Sequence, residues 1–309
     1  MKHCFLFPGQ GAQYPGMGKD LFDASPAVRQ LFVRASEASG LDLERLLFAG
    51  TEDELKQTDV TQVAVTLVDL SAATVLSERG IEPSGCAGFS LGEYAALVVA
   101  GVVSHTDVFA LVKTRGTLSA QAAADLSAEG DPPGMAAVIG LTPDAVQDAI
   151  AASGIETVYP ANLNSAKQTV IAGRSSGLDE IEAPLKSAGA RRVIRLKVTG
   201  AFHTPLMQSI VDEFETALSG VAFSDPRIPL YSNVTGRRIA SGADAKRLCL
   251  EQLTNPVRWV SEEEAVTADG YDDVLEVGPG TVLCGLWKSL PNEIPCRAAG
   301  TIESIEELL

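Results

Sequence analysis

Gly88-Phe89-Ser90-Leu91-Gly92 stands between a short apolar segment and a run, Glu93 to Ala100, with helical character. A serine with glycine two residues to either side, at a strand-to-helix junction, is the local pattern of a nucleophile elbow. The glycines allow the chain to double back without a Cβ clash, which lifts the Ser90 hydroxyl clear of the backbone. Ser90 is therefore the candidate nucleophile. Around it, from Lys2 to about Gln121, short apolar strands alternate with longer helical stretches, the signature of an open α/β sheet.

Working outward, Phe5 to Phe7 reads as a first strand ending at Pro8-Gly9-Gln10-Gly11, a turn that exposes backbone N–H groups. In an open α/β sheet such a turn lies at the carboxyl edge, where ligands bind. Helices are expected over Pro26 to Ser39, Asp42 to Phe48, Glu52 to Gln57, Thr61 to Arg79, Leu91 to Ala100 and Asp107 to Ala124, with Arg115 in the middle of the last. The rhythm then changes. Strands are expected over Met135 to Leu141, Thr157 to Asn164, Gln168 to Ala172 and Arg192 to Val198, with helices over Thr142 to Ser153 and Leu178 to Ser187. That β-α-β-β-α-β order is a split βαβ unit of ferredoxin-like type. The expected organisation is one catalytic domain made of 1–126 and 198–309, with a small domain, 127–197, inserted in it. The cleft between them is the default site.

Bulk composition narrows the class. The chain has 309 residues, 46% hydrophobic and 21% charged, enough for a substantial core. No unbroken apolar run approaches the roughly 18 residues that span a bilayer, and the N-terminal stretch is too short for a signal peptide. Five scattered cysteines with no Cys-x-x-Cys pair argue against a disulfide framework and a zinc site. The expectation is a reduced, cytoplasmic protein, without metal and off the membrane. A net charge of −16 argues against nucleic-acid binding and is compatible with a monomer. Positive charge gathers locally at Arg191, Arg192, Arg195 and Lys197, which is either a charged edge strand or a face for an acidic ligand.

A serine hydroxyl needs a base, and histidine is the usual one. Of three histidines, His3 precedes the first strand at the opposite edge and His105 follows the elbow helix in a loop, leaving His203 in Ala201-Phe202-His203-Thr204-Pro205. The group that orients the imidazole stays open, since a carboxylate or a backbone carbonyl could serve. Oxyanion donors are expected from the N–H of Leu91 and from the Gly9-Gln10-Gly11 turn.

With these residues the chain resembles the malonyl-CoA:acyl carrier protein transacylase family from end to end. The resemblance is carried by Phe7-Pro8-Gly9-Gln10-Gly11-Ala12-Gln13, the elbow continuing as Gly92-Glu93-Tyr94, Arg115-Gly116, Asn162-Leu163-Asn164, and Val170-Ile171-Ala172-Gly173. Further along come Ala201-Phe202-His203, Ser232-Asn233-Val234-Thr235, Gln252-Leu253, Asn255-Pro256-Val257-Arg258-Trp259, and Glu276-Val277-Gly278-Pro279-Gly280.

The resemblance implies an α/β-hydrolase-like core with a ferredoxin-like insertion. It implies that Ser90 takes the malonyl group from malonyl-CoA, with His203 as base and the main-chain carbonyl of Gln252 orienting it. Gln10 and Leu91 would form the oxyanion hole, and Arg115 would grip the malonyl carboxylate. The second substrate would be an acyl carrier protein, CoA would leave, and no cofactor would be needed. Lys167, Arg174, Arg191, Arg192 and Arg195 would form the docking face for the acidic carrier. Phe89, Ser119, Phe202 and Asn162 would line the acyl pocket. Phe89 replaces a histidine usual before the serine, Ser119 replaces a common methionine, and Thr204 follows His203 where serine is common. Phe202 is the bulky type that resembles malonyl-selective members. Fatty acid synthesis is the expected setting, with polyketide assembly or malonate decarboxylation using nearly the same residues. An acyl hydrolase and a silent carrier-binding module are the rival readings.

Overall fold

Cys4 and Leu6 pack into one apolar cluster while Phe5 and Phe7 pack into another, so the first strand is buried on both faces. A continuous apolar run is what a parallel strand covered on two sides requires. The computed structural model describes residues 1–309 and contains ten strands. They are β1 (His3–Phe7), β2 (Pro83–Gly88), β3 (Pro133–Ile139), β4 (Val158–Ser165), β5 (Gln168–Arg174), β6 (Arg192–Arg195), β7 (Tyr231–Ser232), β8 (Arg237–Arg238), β9 (Asp273–Glu276) and β10 (Cys296–Ala298). The main sheet runs β10-β9-β1-β2 with every neighbouring pair parallel. All four strands therefore deliver their carboxyl ends to one edge.

Helices cover this sheet. Thr58–Glu78 is long and apolar enough to cross a bilayer by length and composition, although no single apolar run in the sequence suggested it. Its periodicity is obscured because it is apolar nearly all round, as a core helix is, and 83% of its most apolar window is buried within the fold. The next long helix, His105–Ala128, runs against it and carries Arg115 inward.

The second sheet is small and antiparallel, in the order β4-β5-β3-β6. Ala136, Val138 and Ile171 face the helices that cover it, whereas Met135, Ala137, Val170 and Ala172 face the other way, toward Ala201 and Phe202. The alternation of strand side chains thus gives the small sheet one face for its own core and one for the cleft. Val257 joins the two parts: its N–H donates to the Ala161 carbonyl at 2.9 Å, and its carbonyl accepts from the Leu163 N–H at 2.8 Å.

Several elements differ from the sequence reading. A short helix, Lys19–Ala24, follows the first glycine-rich turn. The single helix expected over Leu178 to Ser187 is two, Ser175–Glu180 and Glu182–Ser187, broken at Ile181 before Pro184 could enter a continuous hydrogen-bond ladder. After His203 the chain forms a 3₁₀ turn, Pro205–Ile210, that continues as an α-helix, Val211–Ser219. The strand expected over Arg192 to Val198 pairs only to Arg195.

Candidate active site

β1 and β2 are neighbours, and the elbow begins where they end: the Phe89 N–H donates to the Phe7 carbonyl at 2.9 Å. A Cβ on Gly92 would collide with the Phe7 carbonyl, so the elbow helix, Gly92–Val99, can sit this close only with glycine at its first position. Ser90 and His203 are the two non-glycine residues with positive φ, at 52° and 61°. Such conformations cost on the order of 1 kcal/mol each and persist where the surroundings over-determine them. The strain falls on the two residues that must meet.

They do meet. Ser90 Oγ lies 2.6 Å from His203 Nε2, and His203 Nδ1 lies 2.8 Å from the Gln252 carbonyl oxygen. A carbonyl can only accept, so Nδ1 carries the proton and Nε2 is left free to take one from the serine. The group in contact with Nδ1 is thus a backbone carbonyl and not a carboxylate. Burial, with the Arg115 charge behind it, pulls the His203 pKa from its ordinary 6.5 down to about 3, against the opposing pull of the Gln252 hydrogen bond. The imidazole is therefore neutral and ready to accept at physiological pH.

That depression has a measurable consequence. Acylation of Ser90 by an activated acetyl ester such as p-nitrophenyl acetate should keep its rate from about pH 8 to about pH 5, because the base protonates only below that range. A half-maximal rate near the ordinary histidine value would show that His203 is not so placed. The same shift bears on stability. The folded-state pKa lies below the unfolded one, so the contribution of His203 is fully present above pH 6.5 and lost as pH falls from there toward 3.

The turn after β1 lies against the elbow, since a Cβ on Gly9 would stand 3.5 Å from the Leu91 nitrogen. Neither the Gln10 N–H nor the Leu91 N–H has an acceptor within the protein. Two unpaired donors beside a nucleophile are the means of holding an oxyanion. Ser90, His203, Gln10, Leu91, Arg115, Phe89, Asn162 and Phe202 all line one cavity of about 270 Å³. Phe89 rests edge-on against Trp259 with ring centroids 5.3 Å apart. Ser119 is buried but does not line the cavity, because it sits one helical turn beyond Arg115.

Arg115 is 5% exposed. Its guanidinium donates to Gln62 Oε1 at 2.9 Å and to Gln252 Oε1 at 3.0 Å, and it lies over the Tyr94 ring at 5.3 Å. No carboxylate pairs with it directly. A buried cation held by two neutral amides is poised to take an anion from the cavity.

Three participants escaped sequence reasoning. Gln62 is a polar residue on the largely apolar core helix, which was the available signal. Asn233 clamps the elbow: Oδ1 accepts from the Ser90 N–H at 2.6 Å, and Nδ2 donates to the Gly88 carbonyl at 2.7 Å and to Glu262 Oε1 at 2.9 Å. Glu93 accepts from the Gln252 amide at 2.6 Å and from the Asn233 N–H at 3.2 Å. Burial raises its pKa to about 7, opposed by those hydrogen bonds and by Arg115. Both stand in stretches that carry the resemblance, but no local pattern gives their roles, since Asn233 lies 143 positions from Ser90 and Glu93 lies 159 from Gln252.

The basic residues do not form one face. Arg174 ends β5 beside Pro133, where it pairs with Glu129 and donates to the carbonyls of Leu126 and Asp131. Arg195 donates to Asp179 and to the Ser175 carbonyl. Both are occupied in tying helices to the small sheet. Lys167, Arg191 and Arg192 gather at the opposite end, about 20 Å along β5, where Lys167 and Arg191 flank the Ile139-Gly140 turn and Arg192 pairs with Ile139. All three are exposed and free of ion pairs. Their end of the sheet adjoins Gln168, a cavity residue.

The comparisons with known proteins fit this geometry. Residues 4–294 match the acyl transferase domain family. The malonyl CoA-acyl carrier protein transacylase of Bacillus subtilis (strain 168) is 37% identical, covering 99% of this chain and 95% of that protein. The protein of the same description in Escherichia coli (strain K12) is 36% identical, covering 96% and 94%. The chain belongs to the malonyl-CoA:acyl carrier protein transacylase family. Among solved structures, this family member superposes on an acyl carrier protein S-malonyltransferase from Vibrio cholerae with a TM-score of 0.93, 35% identity and full coverage of both chains. It is equally similar, at a TM-score of 0.93 and 36% identity over 100% of this chain and 99% of that one, to a malonyl-transacylase in complex with its holo type II PKS acyl-carrier protein.

Proposed function

We propose that this enzyme moves a malonyl group from malonyl-CoA to the phosphopantetheine thiol of an acyl carrier protein, through a malonyl ester on Ser90, and so supplies extender units for fatty acid synthesis. The observation that carries the reading is the contact of a strained serine with a neutral histidine inside a cavity that also holds a buried, carboxylate-free arginine. Ser90 Oγ attacks the thioester carbonyl as His203 Nε2 takes its proton, and the N–H groups of Gln10 and Leu91 receive the oxyanion. Collapse of the tetrahedral intermediate breaks the C–S bond, and the imidazolium returns its proton to the CoA thiolate. In the second half, His203 deprotonates the carrier's thiol, which attacks the Ser90 ester and regenerates the hydroxyl. Arg115 pairs with the free carboxylate of the malonyl group throughout. No cofactor or metal is required by this chemistry.

In this reading 1–126 and 198–309 form an α/β-hydrolase-like catalytic domain, and 127–197 a ferredoxin-like insert whose cleft-facing side closes over the acyl group. The enzyme works as a cytoplasmic monomer. The test is to mix it with malonyl-, methylmalonyl- or acetyl-CoA and a carrier protein and follow the carrier by intact mass. Rapid malonyl loading is expected; release of free malonate with an unloaded carrier would favour a hydrolase instead. Likeness to a transacylase bound to a type II PKS carrier supports a second setting, in which the same residues load a polyketide carrier.

The acidic carrier docks on the unpaired cations Lys167, Arg191 and Arg192, beside the cavity mouth. Reversing two of them, Lys167→Glu with Arg192→Glu, should raise the KM for the carrier about tenfold at low salt. Acylation of Ser90 by malonyl-CoA should be unchanged. Equal loss in both half-reactions would place docking elsewhere.

A further inference from the structure

The Gln252 amide stands between groups of opposite hydrogen-bonding character. On one side is Arg115, which can only donate, 3.0 Å from Oε1. On the other are three acceptors around Nε2: Glu93 Oε2 at 2.6 Å, the Ser90 carbonyl at 3.1 Å and Asn233 Oδ1 at 3.3 Å. Glu93 is the nearest of these and the only one that can carry charge. The orientation of the amide is thus dictated from behind, and with it the acceptor that holds one arm of the guanidinium. Gln62, on the other arm, makes no comparable second bond.

The geometry points to Glu93 as a positioning residue that sets selectivity for a carboxylate-bearing acyl group, acting on Arg115 through the side chain of Gln252. Glu93 is 1% exposed and absent from the cavity lining, so it does not touch substrate. In its ionised form Glu93 can only accept, which makes one amide orientation much better than the other. With glutamine at 93, the side chain could instead donate to Gln252 Oε1, and the amide could turn its NH₂ toward Arg115. Two donors would then face each other, and the guanidinium would leave the geometry in which it meets a carboxylate. An acyl group without a carboxylate makes no such demand. Glu93 also holds the Asn233 N–H, and a purely structural role through that bond would slow every acyl group alike.

The inference rests on the proposed role of Arg115, and the experiment separates the two. Steady-state transfer from malonyl-CoA and acetyl-CoA is measured for the wild type, Glu93→Gln, Gln252→Met and Arg115→Ala. Glu93→Gln should raise the KM for malonyl-CoA about tenfold with little change in kcat, while acetyl transfer stays within about threefold. Gln252→Met keeps the backbone carbonyl for His203 and removes the amide, and it should lower the malonyl-to-acetyl ratio in the same direction. That variant decides the matter if Glu93→Gln does not fold. Parallel loss for both substrates, or an unchanged ratio in both variants, overturns the inference. If Arg115→Ala leaves the ratio unchanged as well, the reading of Arg115 has failed; if only Arg115→Ala shifts it, the Glu93 relay alone is wrong.

Discussion

Ser90→Ala abolishes the acyl-enzyme: after mixing with malonyl-CoA, the intact mass of the variant shows no added malonyl group, and carrier loading falls by roughly 10⁴-fold or more. The size follows from what remains. The oxyanion donors at Gln10 and Leu91 and the cavity still bind the thioester, but two thiols must then exchange the acyl group directly, with no covalent halfway point. The variant should fold, because Asn233 grips the backbone of the elbow, not its side chain, through the Ser90 N–H and the Gly88 carbonyl. Stability should change little and fall if anything, since removing the hydroxyl loses only the bond to His203. A malonyl adduct that survives in Ser90→Ala would move the nucleophile elsewhere and dismantle the mechanism.

Arg115→Ala changes what the enzyme accepts. Loss of a charge-assisted, two-point grip on a carboxylate in a buried site removes about 3–4 kcal/mol, which at about 1.4 kcal/mol per tenfold lowers malonyl kcat/KM by roughly 10²–10³. Acetyl transfer, which never used the guanidinium, should change by less than about fivefold. Arg115→Lys should recover only part of the loss, because an ammonium is a point charge and cannot span both amides and a carboxylate. Removing the charge also lifts one of the two causes that depress the His203 pKa, so the variant's base should titrate closer to its ordinary value. Equal losses for malonyl and acetyl groups would show that Arg115 supports the fold and does not select substrate.

How far the site could be read depended on the range of each interaction. The elbow was legible because its glycine-serine-glycine pattern is written within five residues, although the steric demand on Gly92 comes from the distant Phe7 carbonyl. His203 was reached by elimination among three histidines, and its contact with Ser90 spans 113 positions that no local pattern encodes. Asn233 and Glu93 belong to a quoted motif and a quoted elbow, yet their work appears only when the chain brings Gln252 between them. Arg174 and Arg195 show the converse. Their residue type suggested a docking face, but neighbouring acids and carbonyls on separate elements had already claimed them. The broken helix around Ile181 was misjudged because apolar spacing alone does not register a proline's missing N–H.

Local chemistry in the chain determined the α/β alternation, the elbow and the residue types able to act as nucleophile, base and carboxylate clamp. Backbone sterics and apolar periodicity act over a few residues, so they are written in order along the polymer. Only the folded arrangement decided which carbonyl orients the imidazole, which amide faces the guanidinium and which cations stay free. Those choices depend on burial and on distances of about 3 Å between segments far apart in sequence, and burial is a property of the packed whole.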